Sequence, residues 1–75
     1  MNDVLKRVRG LIKRFSTEDD RVERIILSRL DYIYLIDDLY GYIAVDGVII
    51  HSFDGVKEEE AQVVTKLTVK EEIKI

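Results

Sequence analysis

His51, Ser52 and Asp54 bring together, in one short segment, the three side-chain types of a hydrolytic catalytic triad. In such a triad the base must lie within hydrogen-bonding distance of the nucleophile. The surrounding residues have the composition of a β-strand, in which adjacent side chains point to opposite faces. His51 and Ser52 should therefore diverge, and no glycine-flanked nucleophile turn surrounds Ser52. The segment predicts no catalytic site, and we expect the chain not to be an enzyme.

Acidic residues offer a second kind of chemistry, because carboxylates are ligands for hard cations. The spacing of Asp37, Asp38, Asp46 and Asp54 does not match a calcium-binding loop. Two of the four precede glycines, where aspartate is common for turn geometry alone. The acidic run at residues 58–60 is typical of a solvated face at a helix start. With no cysteine, a single histidine and four scattered glycines, the sequence predicts neither a metal site nor a cofactor site.

Charge is distributed unevenly along the chain. Residues 1–14 carry a net charge of +4 and the remainder carries −7, which gives the overall net charge of −3. The basic side chains of the first segment are Lys6, Arg7, Arg9, Lys13 and Arg14. Four hypotheses stay open for them: pairing with the acidic remainder of the chain, contact with an acidic partner protein, contact with nucleic-acid phosphates, and contact with a membrane surface.

Nucleic-acid binding is the second-ranked of the functional hypotheses. Phosphates favour a basic strip such as the one in residues 1–14. However, the net charge of the domain is negative, whereas nucleic-acid-binding domains are often strongly basic. A helix-turn-helix is also disfavoured, because Asp31, Asp37 and Asp38 would occupy the element closest to the recognition position.

Tyrosines cluster in the middle of the chain. Tyr32, Tyr34, Tyr40 and Tyr42 fall within eleven residues. Tyrosine combines a large apolar area with a polar tip and is enriched at protein interfaces. We therefore predict a protein interface here, and we expect a second copy of the chain as its partner.

The first half of the sequence predicts two helices. Residues 2–15 have apolar side chains at spacings of three and four, which is typical of an amphipathic helix. Ser16 or Thr17 is expected to cap a second helix that runs to about Leu30. Residues 31–36 have β-branched and aromatic content that also suits a strand, but we favour a helix that continues past Leu30. The short connection indicates that the two helices pack as a hairpin.

The second half predicts β-structure. Residues 42–45 and 48–53 flank an Asp46-Gly47 turn, which is a strong indication of a tight hairpin. Both faces of this hairpin carry apolar residues, so we expect both to be covered, by a helix on one side and by a helix or a partner on the other. Residues 56–66 are predicted to form a short helix, although alternation in the same region is also consistent with a strand. Residues 67–75 are predicted to form an edge strand.

The expected fold class is therefore α+β: an N-terminal helical hairpin followed by a β-hairpin, a short helix and a C-terminal strand, in a single domain of residues 1–75. A chain of this length buries only about 60% of its unfolded surface, so its core is thin. Without cysteine, the expected additional source of stability is a homodimer.

The expected function is a small, non-enzymatic protein–protein interaction or regulatory module that forms a homodimer. The chain has no apolar run long enough to cross a membrane and no secretory signal, so we expect a cytoplasmic protein without a transmembrane segment. Many Glu, Lys and Arg residues, with only Asn2 and Gln62 as side-chain amides, are typical of a thermophilic source.

Overall fold

A computed structural model describes residues 3–38, 41, 43–66 and 71–74 of the chain. This described part contains two helices and one five-stranded mixed sheet, which confirms the α+β class. The order, from an N-terminal helix through a β-hairpin to a C-terminal strand, is broadly the one predicted. The elements are α1 (Val4–Phe15), β1 (Val22–Leu27), α2 (Arg29–Asp38), β2 (Ala44–Val45), β3 (Val48–Ser52), β4 (Glu60–Thr65) and β5 (Glu71–Lys74).

The strand order in the sheet is β2-β3-β1-β4-β5, with β1 in the centre. Ile25 of β1 lies opposite Ile50 of β3, in a parallel pair, and opposite Val63 of β4, in an antiparallel pair. The strands β2 and β3, and the strands β4 and β5, are also antiparallel neighbours. A parallel pair cannot be joined by a tight turn, and α2 lies in the crossover from β1 to the β2–β3 hairpin.

The core lies between one face of the sheet and the two helices. Side chains alternate along each strand, so Ile25, Ile50 and Val63 share the buried face and are at most 2% exposed. Val8 of α1 and Leu35 of α2 pack into the same cluster and are 0% exposed. The predicted first helix is thus confirmed, with its apolar stripe towards the core.

The predicted helix from Ser16 or Thr17 to about Leu30 is wrong over Val22–Leu27, which form the strand β1, whereas Arg29 and Leu30 are helical as the first residues of α2. The hydroxyls of Ser16 and Thr17 accept backbone hydrogen bonds, as a helix cap would, but they close a loop. Thr17 Oγ1 accepts the Asp20 N–H at 3.0 Å, and Ser16 Oγ accepts the Val22 N–H at 3.2 Å. Because β1 separates α1 from α2, the two helices are not joined as a hairpin.

A register irregularity in β1 explains the misleading helical spacing. The pairing with β4 shifts between Val22 and Arg24, and this bulge puts Val22 and Ile25 both in the core. A spacing of three between buried residues resembles a helix but results here from one extra residue in a strand. Residues 31–36 are helical as favoured, but they belong to the separate helix α2.

The predicted helix over residues 56–66 is also wrong, because β4 occupies Glu60–Thr65. Its alternate residues Ala61, Val63 and Thr65 are buried, which agrees with the competing strand interpretation. Residues 58–60 lie in a turn and a strand start: the Glu60 N–H donates to the Lys57 carbonyl at 3.0 Å, and Glu59 has a φ of 65°. The predicted C-terminal strand is confirmed over residues 71–74, and residues 67–70 lie outside the described part.

The predicted β-hairpin is confirmed. Asp46 and Gly47 have φ values of 50° and 82°, as the tight turn requires. Within the described part, however, no element covers the outer face of the sheet, on which Ile49 is 47% exposed. One face of the hairpin is therefore covered by helices, and coverage of the other face by a partner stays a prediction.

A pair of matched substitutions tests whether the core lies on only one face of the sheet. Ile25→Val removes one buried methylene and should lower the free energy of unfolding by about 0.5–1.5 kcal/mol. Ile49→Val makes the same change on the outer face and should alter it by no more than about 0.5 kcal/mol. Urea titration followed by circular dichroism measures both, and equal losses would contradict this placement of the core.

Candidate protein-interaction surface

The start of α2 is fixed by two hydrogen bonds. Ser28 Oγ accepts the Asp31 N–H at 3.1 Å, which is the arrangement of an N-cap. The Asp31 carboxylate is buried, and its Oδ2 accepts the Glu59 N–H at 2.9 Å. The negative carboxylate also lies in the first turn of α2, at the positive end of the helix dipole. The helix start is thereby held against the loop between β3 and β4.

The other end of α2 is closed by a glycine. Gly41 has a φ of 95°, and its N–H donates to the Ile36 carbonyl at 3.0 Å. Glycine adopts this left-handed conformation without the steric cost that a side chain would impose. With both ends fixed, the orientation of the solvent side of α2 is set by its packing on the sheet.

Helix α2 carries apolar side chains on both of its sides. Leu35 faces the core and is 0% exposed, and Tyr32 packs against the same cluster. On the solvent side, Leu30, Ile33 and Tyr34 are 38%, 53% and 45% exposed, respectively. Spacings of three and four make these three side chains neighbours on one side of the helix. We call Leu30, Ile33 and Tyr34 the α2 patch.

A surface helix normally carries polar residues on its outer side, as α1 does. The α2 patch departs from this rule, and a depression of about 430 Å³ lies beside it. Leu30, Ile33 and Val56 contribute apolar walls, and Asp54 and Glu58 of the β3–β4 loop add negative charge. An apolar centre with a polar rim is common in protein interfaces.

Two exposed charges of α2, Arg29 and Asp37, run against the helix dipole, although the buried Asp31 favours it. Arg29 is its first residue, at the positive end, and Asp37 lies in its last turn, at the negative end. Each unfavourable placement on an exposed surface costs about 0.3–1 kcal/mol at low salt. Arg29 Nε lies 3.9 Å from Asp54 Oδ1, but both side chains are at least 75% exposed, so this ion pair contributes little stability.

The tyrosines of the predicted interface do not all lie on one surface. Tyr34 belongs to the α2 patch, whereas Tyr32 packs against the core. Tyr40 and Tyr42 lie outside the described residues. The sequence pattern predicted neither Leu30 nor Ile33 as an interface residue, and both are exposed. Residues 29–38 gave little indication of the solvent side, because their apolar side chains occur on every side of the helix and their charges are not gathered on one face.

The basic residues of α1 have different surroundings. Lys6 and Lys13 are exposed, and the Arg14 guanidinium lies 5.0 Å from the centre of the Phe15 ring. Arg9 Nε lies 3.6 Å from Asp46 Oδ2, with both side chains 55% exposed. Arg7 is half-buried and lines a concavity with Asp31 and Glu59. Pairing with the rest of the chain is therefore present for Arg9, while Lys6, Lys13 and Arg14 keep exposed positive charge.

The residues considered for catalysis are brought together only in part. His51 and Ser52 both line a depression on the outer face of the sheet, whereas Asp54 pairs with Arg29. Among the described residues, no group of three or more His, Cys, Asp or Glu side chains could hold a metal ion. In the same part of the chain, neither helix has the length and apolar character needed to cross a membrane.

No family model, curated protein or solved structure matches this chain. Among the described residues, large apolar side chains are exposed at two places on the surface: the α2 patch, and in or next to the β2–β3 hairpin, where they are Ile43, Ile49 and Phe53.

The Asp31 hydrogen bond to the β3–β4 loop can be tested by substitution. Asp31→Ala leaves the Glu59 N–H without its acceptor and should lower the free energy of unfolding by about 1–3 kcal/mol. Asp31→Asn keeps an acceptor oxygen and should cost clearly less. Chemical denaturation of both variants measures the difference, and equal losses would show that the carboxylate position is not held by this bond.

Proposed function

We propose that this chain is a small, non-enzymatic protein–protein interaction module that forms a homodimer through the α2 patch. The observation that carries the proposal is the exposure of Leu30, Ile33 and Tyr34 side by side on a helix whose opposite side is already in the core. Removing apolar surface from water is favourable by about 25 cal/mol per Å². Contiguous exposed apolar side chains are therefore a common mark of interaction sites.

The small size of the core supports a second copy as the partner. A domain of this length has a low ratio of buried to exposed surface, and small domains commonly gain stability from disulfides, metals or another subunit. The sequence contains no cysteine, so disulfides cannot contribute. An α2 contact between two copies would add buried apolar area next to Val56.

A thermophilic source is part of the same proposal. The abundance of Glu, Lys and Arg, with Asn2 and Gln62 as the only side-chain amides, supports it. Association between subunits is one of the ways in which such proteins gain stability at high temperature.

Self-association through α2 makes a direct prediction. The wild-type chain should be a dimer at micromolar concentration in sedimentation equilibrium and light scattering. Ile33→Glu should give a monomer, because it places a charge in the centre of the patch. Ile49→Glu is the matched control: it changes the same residue type at similar exposure, 47% against 53%, on the outer face of the sheet. A dimer that survives Ile33→Glu but not Ile49→Glu would assign the interface to the sheet.

The second candidate function is contact with nucleic-acid phosphates through α1, favoured by the exposed Lys6, Lys13 and Arg14. Binding of this kind falls steeply with salt concentration, because phosphate neutralisation releases counterions. A gel-shift titration of single- and double-stranded DNA and RNA across salt concentrations tests it. Lys6→Glu with Lys13→Glu should abolish any shift, and Lys57→Glu, an exposed lysine outside α1, should not. No shift at low salt would exclude this function.

A further inference from the structure

The solvent side of α2 has an apolar centre and charges of opposite sign at its two ends. Arg29, Ile33 and Asp37 are each separated by four residues, so they form one ridge along the helix. The basic residue is at one end, the acidic residue is at the other, and the exposed Ile33 is midway between them. Leu30 and Tyr34 lie on the adjacent ridge and widen the apolar centre.

We infer that two copies of this chain associate by antiparallel packing of α2 on α2, about a two-fold axis that passes near Ile33. This inference rests on the proposed function and specifies its geometry. The axis places Ile33 against the partner subunit's Ile33. It also places Arg29 against the partner subunit's Asp37, and Asp37 against the partner subunit's Arg29. A two-fold contact of this kind is isologous, so one matched pair of charges occurs twice.

Charge selects this orientation over the parallel one. In a parallel pair, Arg29 would meet the partner subunit's Arg29 and Asp37 would meet the partner subunit's Asp37, and both contacts would be repulsive. The antiparallel pair makes both contacts attractive. It also gives a role to two charges that oppose the dipole of their own helix, because each would then face an opposite charge on the partner.

The existing partner of Arg29 does not obstruct this contact. The Arg29–Asp54 pair is long, at 3.9 Å, and its side chains are 75% and 81% exposed, so water already surrounds both groups. Exchange of such a pair for an intersubunit pair exposes no buried charge. Asp54 and Glu58 remain at the rim of the adjoining depression.

Charge reversal tests the geometry directly, using Arg29→Glu and Asp37→Lys as separate variants of the full chain. Each variant alone would face two like-charge contacts in its homodimer, and we expect its dimer dissociation constant to rise about tenfold or more. An equimolar mixture should recover wild-type affinity, because the heterodimer has opposite charges at both contacts. Native mass spectrometry and sedimentation equilibrium measure the heterodimer and the affinities.

Two controls separate the interface from folding. Both substitutions improve the match between α2 and its own dipole, so thermal unfolding of each variant should show a retained fold. Asp54→Asn removes the intrachain partner of Arg29 without changing the ridge, and it should leave the dimer dissociation constant unchanged.

The outcomes distinguish the geometry from the proposed function. If the wild type is a dimer and neither charge reversal weakens it, the antiparallel arrangement is wrong and self-association stands. If both reversals weaken the dimer but the mixture does not recover, the residues are at the interface without facing each other, and the arrangement is again wrong. If the wild type is a strict monomer, the proposed function fails and this inference fails with it.

Discussion

Strand β1 is paired on both of its edges, and this double pairing constrains the rest of the fold. Its parallel neighbour β3 can be reached only through a crossover, and α2 is the helix of that crossover. Its antiparallel neighbour β4 brings the β3–β4 loop back to the start of α2, where Asp31 accepts the Glu59 N–H. The position of α2, and with it the direction of its solvent side, thus follows from the pairing of β1.

The two helices differ in how completely packing on the sheet covers their apolar side chains. Helix α1 buries Val4, Val8 and Leu11 and presents charged residues to solvent, so its apolar side is covered within one copy of the chain. Helix α2 buries Leu35 but presents Ile33 to solvent, so part of its apolar surface stays uncovered in one copy of the chain. This asymmetry is the physical basis for assigning the contact surface to α2 and not to α1.

Sequence patterns predicted the elements that are determined by residues close together in the sequence. The amphipathic stripe of α1 and the Asp46-Gly47 turn each depend on neighbouring residues, and both were predicted correctly. Strand β1 was not, because the bulge after Val22 and the pairing on both edges are properties of the whole sheet. For the candidate site, Tyr34 was predicted, whereas Ile33 was missed. On a helix whose apolar side chains occur on every side, only tertiary packing decides which of them remain in water.

The central pairing in the sheet also affects how the chain acquires its structure during synthesis. Ile25 meets Val63, so the middle of the sheet joins an early part of the sequence to a late one. Contacts between such distant residues require closure of a long loop and form slowly compared with local helices. A nascent chain that ends before β4 has α1 and the β2–β3 hairpin but lacks one neighbour of β1, which leaves a strand edge unpaired. Folding of this sheet therefore requires that β4 has left the ribosome, and a fragment that ends before β4 would have an unpaired strand edge that favours aggregation.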